Sequence, residues 1–222
     1  DRYGDYPSGA VADLTGPGSG PIRVHRGGSW GSPPGFCRSA FRCRNRPGTR
    51  FPFLGLRLRR AVPPAQPSGA VPCAAGKAAH AASLGSGAPV SGRDWTVPEL
   101  GLEMVAVKSG TFQMGSDSRA ADHDERPVHE VRITHPFWIG KYEVTNAEYW
   151  RFEDESGYDG TDDADPDYLA HWCGNSRMSG SDRYPVVHVS WQNATAFCHW
   201  LLEREQKRSE ERRVGKECAT GC

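Results

Sequence analysis

From residue 101 onward, apolar and polar positions alternate in short runs. "LEMVAV" and "TFQMG" are separated by "KSG", a natural tight turn, and "VHEVRIT" and "FWIGKYEV" follow with strand-like content. Together they predict a small antiparallel sheet. "TNAEYWRFEDES" changes period. Thr145 and Glu148 form a capping box, and Tyr149 and Phe152 stand three apart on one face, so a helix is expected. A polar, Asp-rich loop at 157–183 leads to "YPVVHVS", which reads as a short strand. "SWQNATAFCHWLLEREQ" predicts a second helix, with Ser190 as N-cap and Trp191, Ala194, Phe197, Cys198, Leu201 and Leu202 as its apolar stripe. Residues 1–60 are rich in Gly, Pro, Arg and aromatics, with strand-like pieces "IRVHRGG" and "LGLRLRRA" between turns.

Residues 61–97 lose nearly all large apolar side chains and become Ala, Pro, Gly and Ser. Such a composition buries too little surface to offset chain entropy, so it reads as a flexible linker. The opening "DRYGDYPSGA" is turn-rich and lacks Met, as a fragment would. "RSEERRVGKEC", residues 208–218, reads as a solvated helix end or, back-translated, as a common sequencing adapter in frame; residues 207–222 are assigned as a non-native tail. No apolar run approaches a bilayer-spanning length, so no membrane is expected as a partner. Lys plus Arg and Asp plus Glu number 27 each, so net charge steers the chain toward no nucleic acid. Seven cysteines without a CxxC pair argue against both a zinc site and a complete disulfide framework. Reduced thiols in a cytoplasm are the default.

The chemistry concentrates in "RGGSWGSPPGFCRSAFR", residues 26–42. Cys37 lies in a basic loop, where Arg38 and Arg42 lower its pKa if their charges point at it. A structural, partly buried thiol is the competing account and the favoured one. Gly27-Gly28-Ser29-Trp30 reads as a tight turn into a core tryptophan. "DHDE", residues 122–125, has metal-binding residue types but no second cluster at ligand spacing, so a solvated loop before a strand is expected and no metal site is assigned. His129, His135, His188 and His199 fall inside strand and helix patterns and read as structural, as does Cys198 on its apolar stripe.

"GLEMVAVKSGTFQMGS", "ERPVHEVRITHPFWIGKYEVTNAEYWRF" and "YPVVHVSWQNATAFCHWL" resemble, in order and spacing, the N-terminal half of the formylglycine-generating-enzyme family, the sulfatase-modifying-factor domain. Residues 1–58 resemble the C-terminal end of the same domain. The order is inverted and the domain's middle, with its calcium ligands, is missing. The implied organisation is a C-terminal part at 1–60, a linker at 61–97 and an N-terminal part at 98–206. The implied fold is α+β, irregular and C-type-lectin-like, with few helices and short strands. In that fold the first and last strands lie close, so the two pieces can pair, "LGLRLRRA" against "LEMVAV" being the expected contact.

Members of the family that oxidise a substrate cysteine to formylglycine carry two copper(I)-binding cysteines after the GGS motif, with four residues between them. Aligned on "GGSW", Cys37 takes the second position and Ser32 the first. A hydroxyl is a hard, poor ligand for copper(I), so the resemblance implies a weak site at most. Cys43, six residues past Cys37, is no simple substitute. Ser29 and Trp30 match positions lining the family's active-site groove. Catalytic candidates are therefore Cys37 and Ser29.

The second functional reading is a non-catalytic binding module on the same fold. "GGSWGSPPGFCRSAFRCRNRPGTRFPF" is similar to the variable proteins of diversity-generating retroelements. Their varied positions would fall near Gly31, Ser32, Phe36, Phe41, Cys43, Thr49, Phe51 and Phe53, between fixed-looking Arg38, Ser39, Arg42 and Arg50. Trp30, Ser32, Phe36, Phe41, Arg42 and Phe51 are the ligand-binding candidates, and a peptide or protein is the expected ligand.

Overall fold

The computed structural model describes residues 2–29, 31–62, 89–98, 100–160, 168–169 and 181–219, with the last helix's side chains described as far as Lys207. The strands are β1 (Val11–Ala12), β2 (Arg23–Arg26), β3 (Arg42–Asn45), β4 (Arg59–Ala61), β5 (Trp95–Val97), β6 (Leu102–Val107), β7 (Gly110–Met114), β8 (His129–Ile133) and β9 (Phe137–Gly140). The helices are α1 (Asn146–Ser156) and α2 (Trp191–Ala219). Short strands in three small sheets, with two helices, make an α+β architecture.

Alternation explains the strands. Leu102 and Met104 on β6, and His129 and Val131 on β8, point inward, while Glu103, Glu130 and Arg132 between them stay outside. The four-stranded sheet has the order β4-β9-β6-β5, all antiparallel. β8 lies between β7, antiparallel, and β1, parallel, while β2 and β3 form a two-stranded antiparallel sheet. The leading segment, residues 2–62, thus supplies an edge strand to each of two sheets whose other strands come from the trailing segment, residues 89–219.

Both helices begin as their caps dictate. Thr145 Oγ1 accepts from the Glu148 N–H, and Glu148 Oε2 accepts from the Thr145 N–H at 2.7 Å. On α2, Ser190 Oγ accepts from the Asn193 N–H at 3.2 Å and Asn193 Oδ1 accepts from the Ser190 N–H at 2.8 Å. The helices meet through aromatics: Tyr149 stacks on Phe197 at 5.7 Å and Phe152 meets Phe197 edge-on at 5.6 Å. Tyr149, Phe152, Phe197, Trp138, Val144 and Val186 are all essentially inaccessible. Trp138 satisfies its indole by donating to the Arg93 carbonyl at 2.8 Å.

Several sequence expectations are corrected. "LEMVAV" and "TFQMG" do not pair: β6 lies between β5 and β9, while β7 joins β8 in another sheet, because each strand has a longer-range partner. "LGLRLRRA" yields only β4, which pairs with β9 and not with β6, one strand further in. "YPVVHVS" is not a strand. Its N–H groups go to different segments, Val186 to the Val144 carbonyl and His188 to the Phe51 carbonyl, and His188 has φ 57°. On α2, Trp191 and Leu202 are exposed, so only the rest of the expected stripe faces the core. β5 lies at the end of the 61–97 stretch, and α2 runs as far as Ala219. The rest of that linker, 63–88, and most of the 157–183 loop lie outside the described residues.

Phe197 is fully buried between two aromatic neighbours. Phe197→Ala should therefore cost about 3–5 kcal/mol, whereas exposed Leu202→Ala should stay within about 0.5 kcal/mol, both read from urea midpoints. His25 on β2 gives a pH signature, because burial holds its pKa below the ordinary 6.5. The folded chain then takes up a proton less readily than the unfolded one. Stability from this group is intact above 6.5 and is lost as pH falls toward the lower folded value. Melting temperatures of His25→Gln should fall less steeply across that window than those of the unsubstituted chain.

Candidate functional site

β2 and β3 pair with Arg26 opposite Arg42, so residues 27–41 form the loop of a long hairpin. Gly27, at φ 84°, turns the chain out of β2. Gly28 then runs against Cys37: a side-chain carbon at residue 28 would lie 2.3 Å from the Cys37 sulfur and 3.0 Å from its Cα. No residue other than glycine fits this neck. Beyond it, Ser29 and Ser32 close a turn. The Ser32 N–H donates to the Ser29 carbonyl at 3.0 Å, Ser32 Oγ accepts from the Ser29 N–H at 3.0 Å, and the two hydroxyls lie 2.8 Å apart.

A short 3₁₀ turn, Pro34–Cys37, follows and leaves Cys37 exposed, contrary to the expectation of a partly buried thiol. The two arginines expected to activate it are engaged elsewhere. Arg38 donates from Nε to the Gly35 carbonyl and spreads its fork over both carboxylate oxygens of Glu125, each contact at 2.7 Å. Arg42 is buried, lies over the Tyr6 ring at 4.2 Å and the Tyr3 ring at 4.9 Å, and donates to the carbonyls of Asp124 and Gly4 at 2.8 Å. Its guanidinium is thus engaged with the frame beneath the loop.

Glu125 overturns the reading of "DHDE" as a solvated loop. It is 0% exposed. Gly115, at φ 101°, lets the chain after β7 close over this turn: a side chain there would come within 2.5 Å of the Glu125 carbonyl, which accepts from the Ser116 N–H at 3.0 Å. Asp124 Oδ2 accepts from the Tyr3 hydroxyl at 2.8 Å, and burial together with this carboxylate pushes the Tyr3 pKa up. A second anchor joins Arg50, whose Nε donates to Asn193 Oδ1 at 3.1 Å, while Asn193 Nδ2 donates to the Tyr158 hydroxyl at 2.8 Å.

The structure therefore brings Ser29 to Ser32, Phe36 to Phe41 at 4.8 Å, and Phe51 to Phe53, stacked at 5.3 Å. Phe36 and Phe53 are 43% and 48% exposed. Trp30 lies outside the described residues. A separate open cleft of about 240 Å³, lined by residues such as Leu102, Tyr142, Arg183 and Pro185, includes none of the predicted site residues. Sequence reasoning missed Glu125 and Asn193. The signal was present in charge segregation: residues 1–60 hold eleven Arg, no Lys and three acidic residues, while residues 98–206 hold twenty acidic and nine basic ones. Zero net charge concealed two complementary segments.

A short-stranded α+β domain presenting a Gly-Gly-Ser hairpin loop is the class that this geometry defines. The family model described as "Sulfatase-modifying factor enzyme 1-like domain" matches residues 1–62 and 96–212. The chain belongs to that family. It is similar to a formylglycine-generating enzyme of Thermomonospora curvata, 30% identical over 140 residues, with 48% of this chain and 46% of that protein covered. It is similar also to the inactive C-alpha-formylglycine-generating enzyme 2 of Bos taurus, 32% identical over 136 residues, covering 46% and 45%. A hercynine oxygenase of Mycolicibacterium smegmatis is 40% identical over 129 residues, covering 48% and 30%. The chain spans less than half the length of these relatives. No solved structure matches it.

The residues present do not fit the copper(I) site that the family resemblance implies. The donor pair would be the Cys37 thiol and a Ser32 hydroxyl already bonded to Ser29, where a soft metal asks for a second thiolate. Among the described residues, no group of three or more His, Cys, Asp or Glu is arranged to hold a metal.

The Arg38–Glu125 pair predicts an asymmetry. Arg38→Ala strands a fully buried carboxylate and should cost about 3–5 kcal/mol. Glu125→Ala leaves a guanidinium that is 28% exposed and still reaches water, so its cost should be clearly smaller. Denaturant unfolding of the two variants side by side checks the order.

Proposed function

We propose that this chain is a non-oxidising member of its family, a C-type-lectin-like scaffold whose hairpin loop and following aromatics capture a peptide or protein ligand. One observation carries the reading: the position that would supply the second copper thiolate is a serine whose hydroxyl closes its own turn, leaving Cys37 an unpaired, exposed thiol. Membership alone decides nothing, since proteins named as formylglycine-generating and as inactive are both among the relatives. Two further features support binding. Two aromatic pairs, Phe36 with Phe41 and Phe51 with Phe53, each leave one ring open to solvent. Arginines of the same segment anchor its backbone: Arg38 on Glu125 and Arg50 on Asn193. An adenine-rich near-copy of the codons for residues 29–57 beside the gene would support a retroelement-diversified form of this module.

The test is a copper(I) titration of the full chain against a competing chelator, with oxygen uptake measured on a cysteine-containing peptide. The unsubstituted chain should bind copper(I) no tighter than Cys37→Ala and consume no oxygen above Cys37→Ser. Ser32→Cys should raise copper(I) affinity by roughly a hundredfold, since it restores a thiolate pair. Tight copper(I) binding with oxygen uptake by the unsubstituted chain would overturn the reading in favour of the family's oxidation of substrate cysteine.

A further inference from the structure

Charged and aromatic contacts run all along the join between the leading and trailing segments. Eight of the eleven arginines in residues 1–60 contact the trailing segment. Arg38, Arg57 and Arg60 pair with Glu125, Glu143 and Glu205. Arg42 and Arg50 donate to the Asp124 carbonyl and to Asn193. Arg23 and Arg59 lie over the rings of Trp191 and Phe137 at 4.1 and 4.7 Å, and Arg26 donates to the Met114 sulfur at 3.6 Å. Backbone pairing accompanies these contacts: β1 completes β8 in parallel register from Val11 opposite Val131, and β4 completes β9 from Arg59 opposite Ile139. Leu58 enters the same buried cluster as Trp138 and Phe197.

None of these contacts requires the covalent connection between β4 and β5. Those strands stand at opposite edges of one sheet, about 14 Å apart across three strand spacings. Residues 62–94 have an extended reach on the order of 100 Å, so the connection imposes no register on either side. Loop-closure entropy changes only slowly with length, and the connection supplies effective concentration more than geometry.

We propose that the face of the trailing segment formed by the β8 and β9 edges, Glu125 and Asn193 is a docking site whose occupant is the arginine-rich leading segment, held non-covalently and independently of the connection between them. The opposed charges of the two segments steer the association, and the Arg38 fork on Glu125 sets its orientation.

The experiment uses the full chain with a specific protease site placed between residues 75 and 76, confirmed folded before cutting. After cutting, the two pieces should co-elute at micromolar concentration with the circular dichroism of the uncut chain. Their dissociation constant should rise at least about tenfold between 50 and 500 mM NaCl, as charge-steered association requires. Arg38→Lys keeps the charge but loses the fork, and should weaken the cut complex about tenfold, against less than threefold for Arg57→Ala at an exposed ion pair. Separation or unfolding of the pieces on cutting, salt-independent association, or equal effects of the two substitutions would each overturn the proposal.

Discussion

The two-point contact between the Arg38 guanidinium and the buried Glu125 carboxylate is the interaction on which the rest of this structure depends. Burying a carboxylate without a partner costs several kcal/mol, so the 3₁₀ turn at His123–Glu125 can pack inside only when Arg38 reaches it. Arg38 in turn is the first residue after the exposed loop tip. One bond therefore seats the turn before β8 and aims the hairpin loop. Arg42 and Arg50 repeat the device further along the segment, each under an aromatic ring and each donating across the join.

The helices were legible because their signals are local. Thr145 with Glu148 and Ser190 with Asn193 close their own first turns, whatever packs around them. The strands β6 to β9 were legible, and their partnership was not. β6 and β7 are neighbours in sequence, yet each pairs with a strand whose own inward residues, Trp138 on β9 and Val131 on β8, complete the core. "YPVVHVS" misled for a similar reason: three valines suggest a ladder, but the left-handed backbone at His188 turns successive N–H groups toward different partners. Glu125 was invisible because nothing within its own neighbourhood announces burial; the charge that permits it stands 87 residues earlier.

At the candidate site, residue types pointed to a loop that the fold makes a hairpin, and to the wrong environment for its thiol. The Gly-Gly-Ser signature located the hairpin, and the mismatch at Ser32 carried through to a hydroxyl satisfied within its own turn. The nearby arginines suggested a polarised thiol, since side-chain direction cannot be read from adjacency in sequence. In the folded chain they face the carboxylate and carbonyls of the trailing segment, which leaves the chemistry of the loop tip to its serines and phenylalanines.

The contact of Gly28 with Cys37 has a geometric meaning for such a loop. It pinches residues 28–37 into a ring of fixed circumference whose base is set by a hydrogen atom on one side and a sulfur on the other. The exit from β2 and the approach to β3 are thereby held together at one place, where a residue with no side chain meets a sulfur.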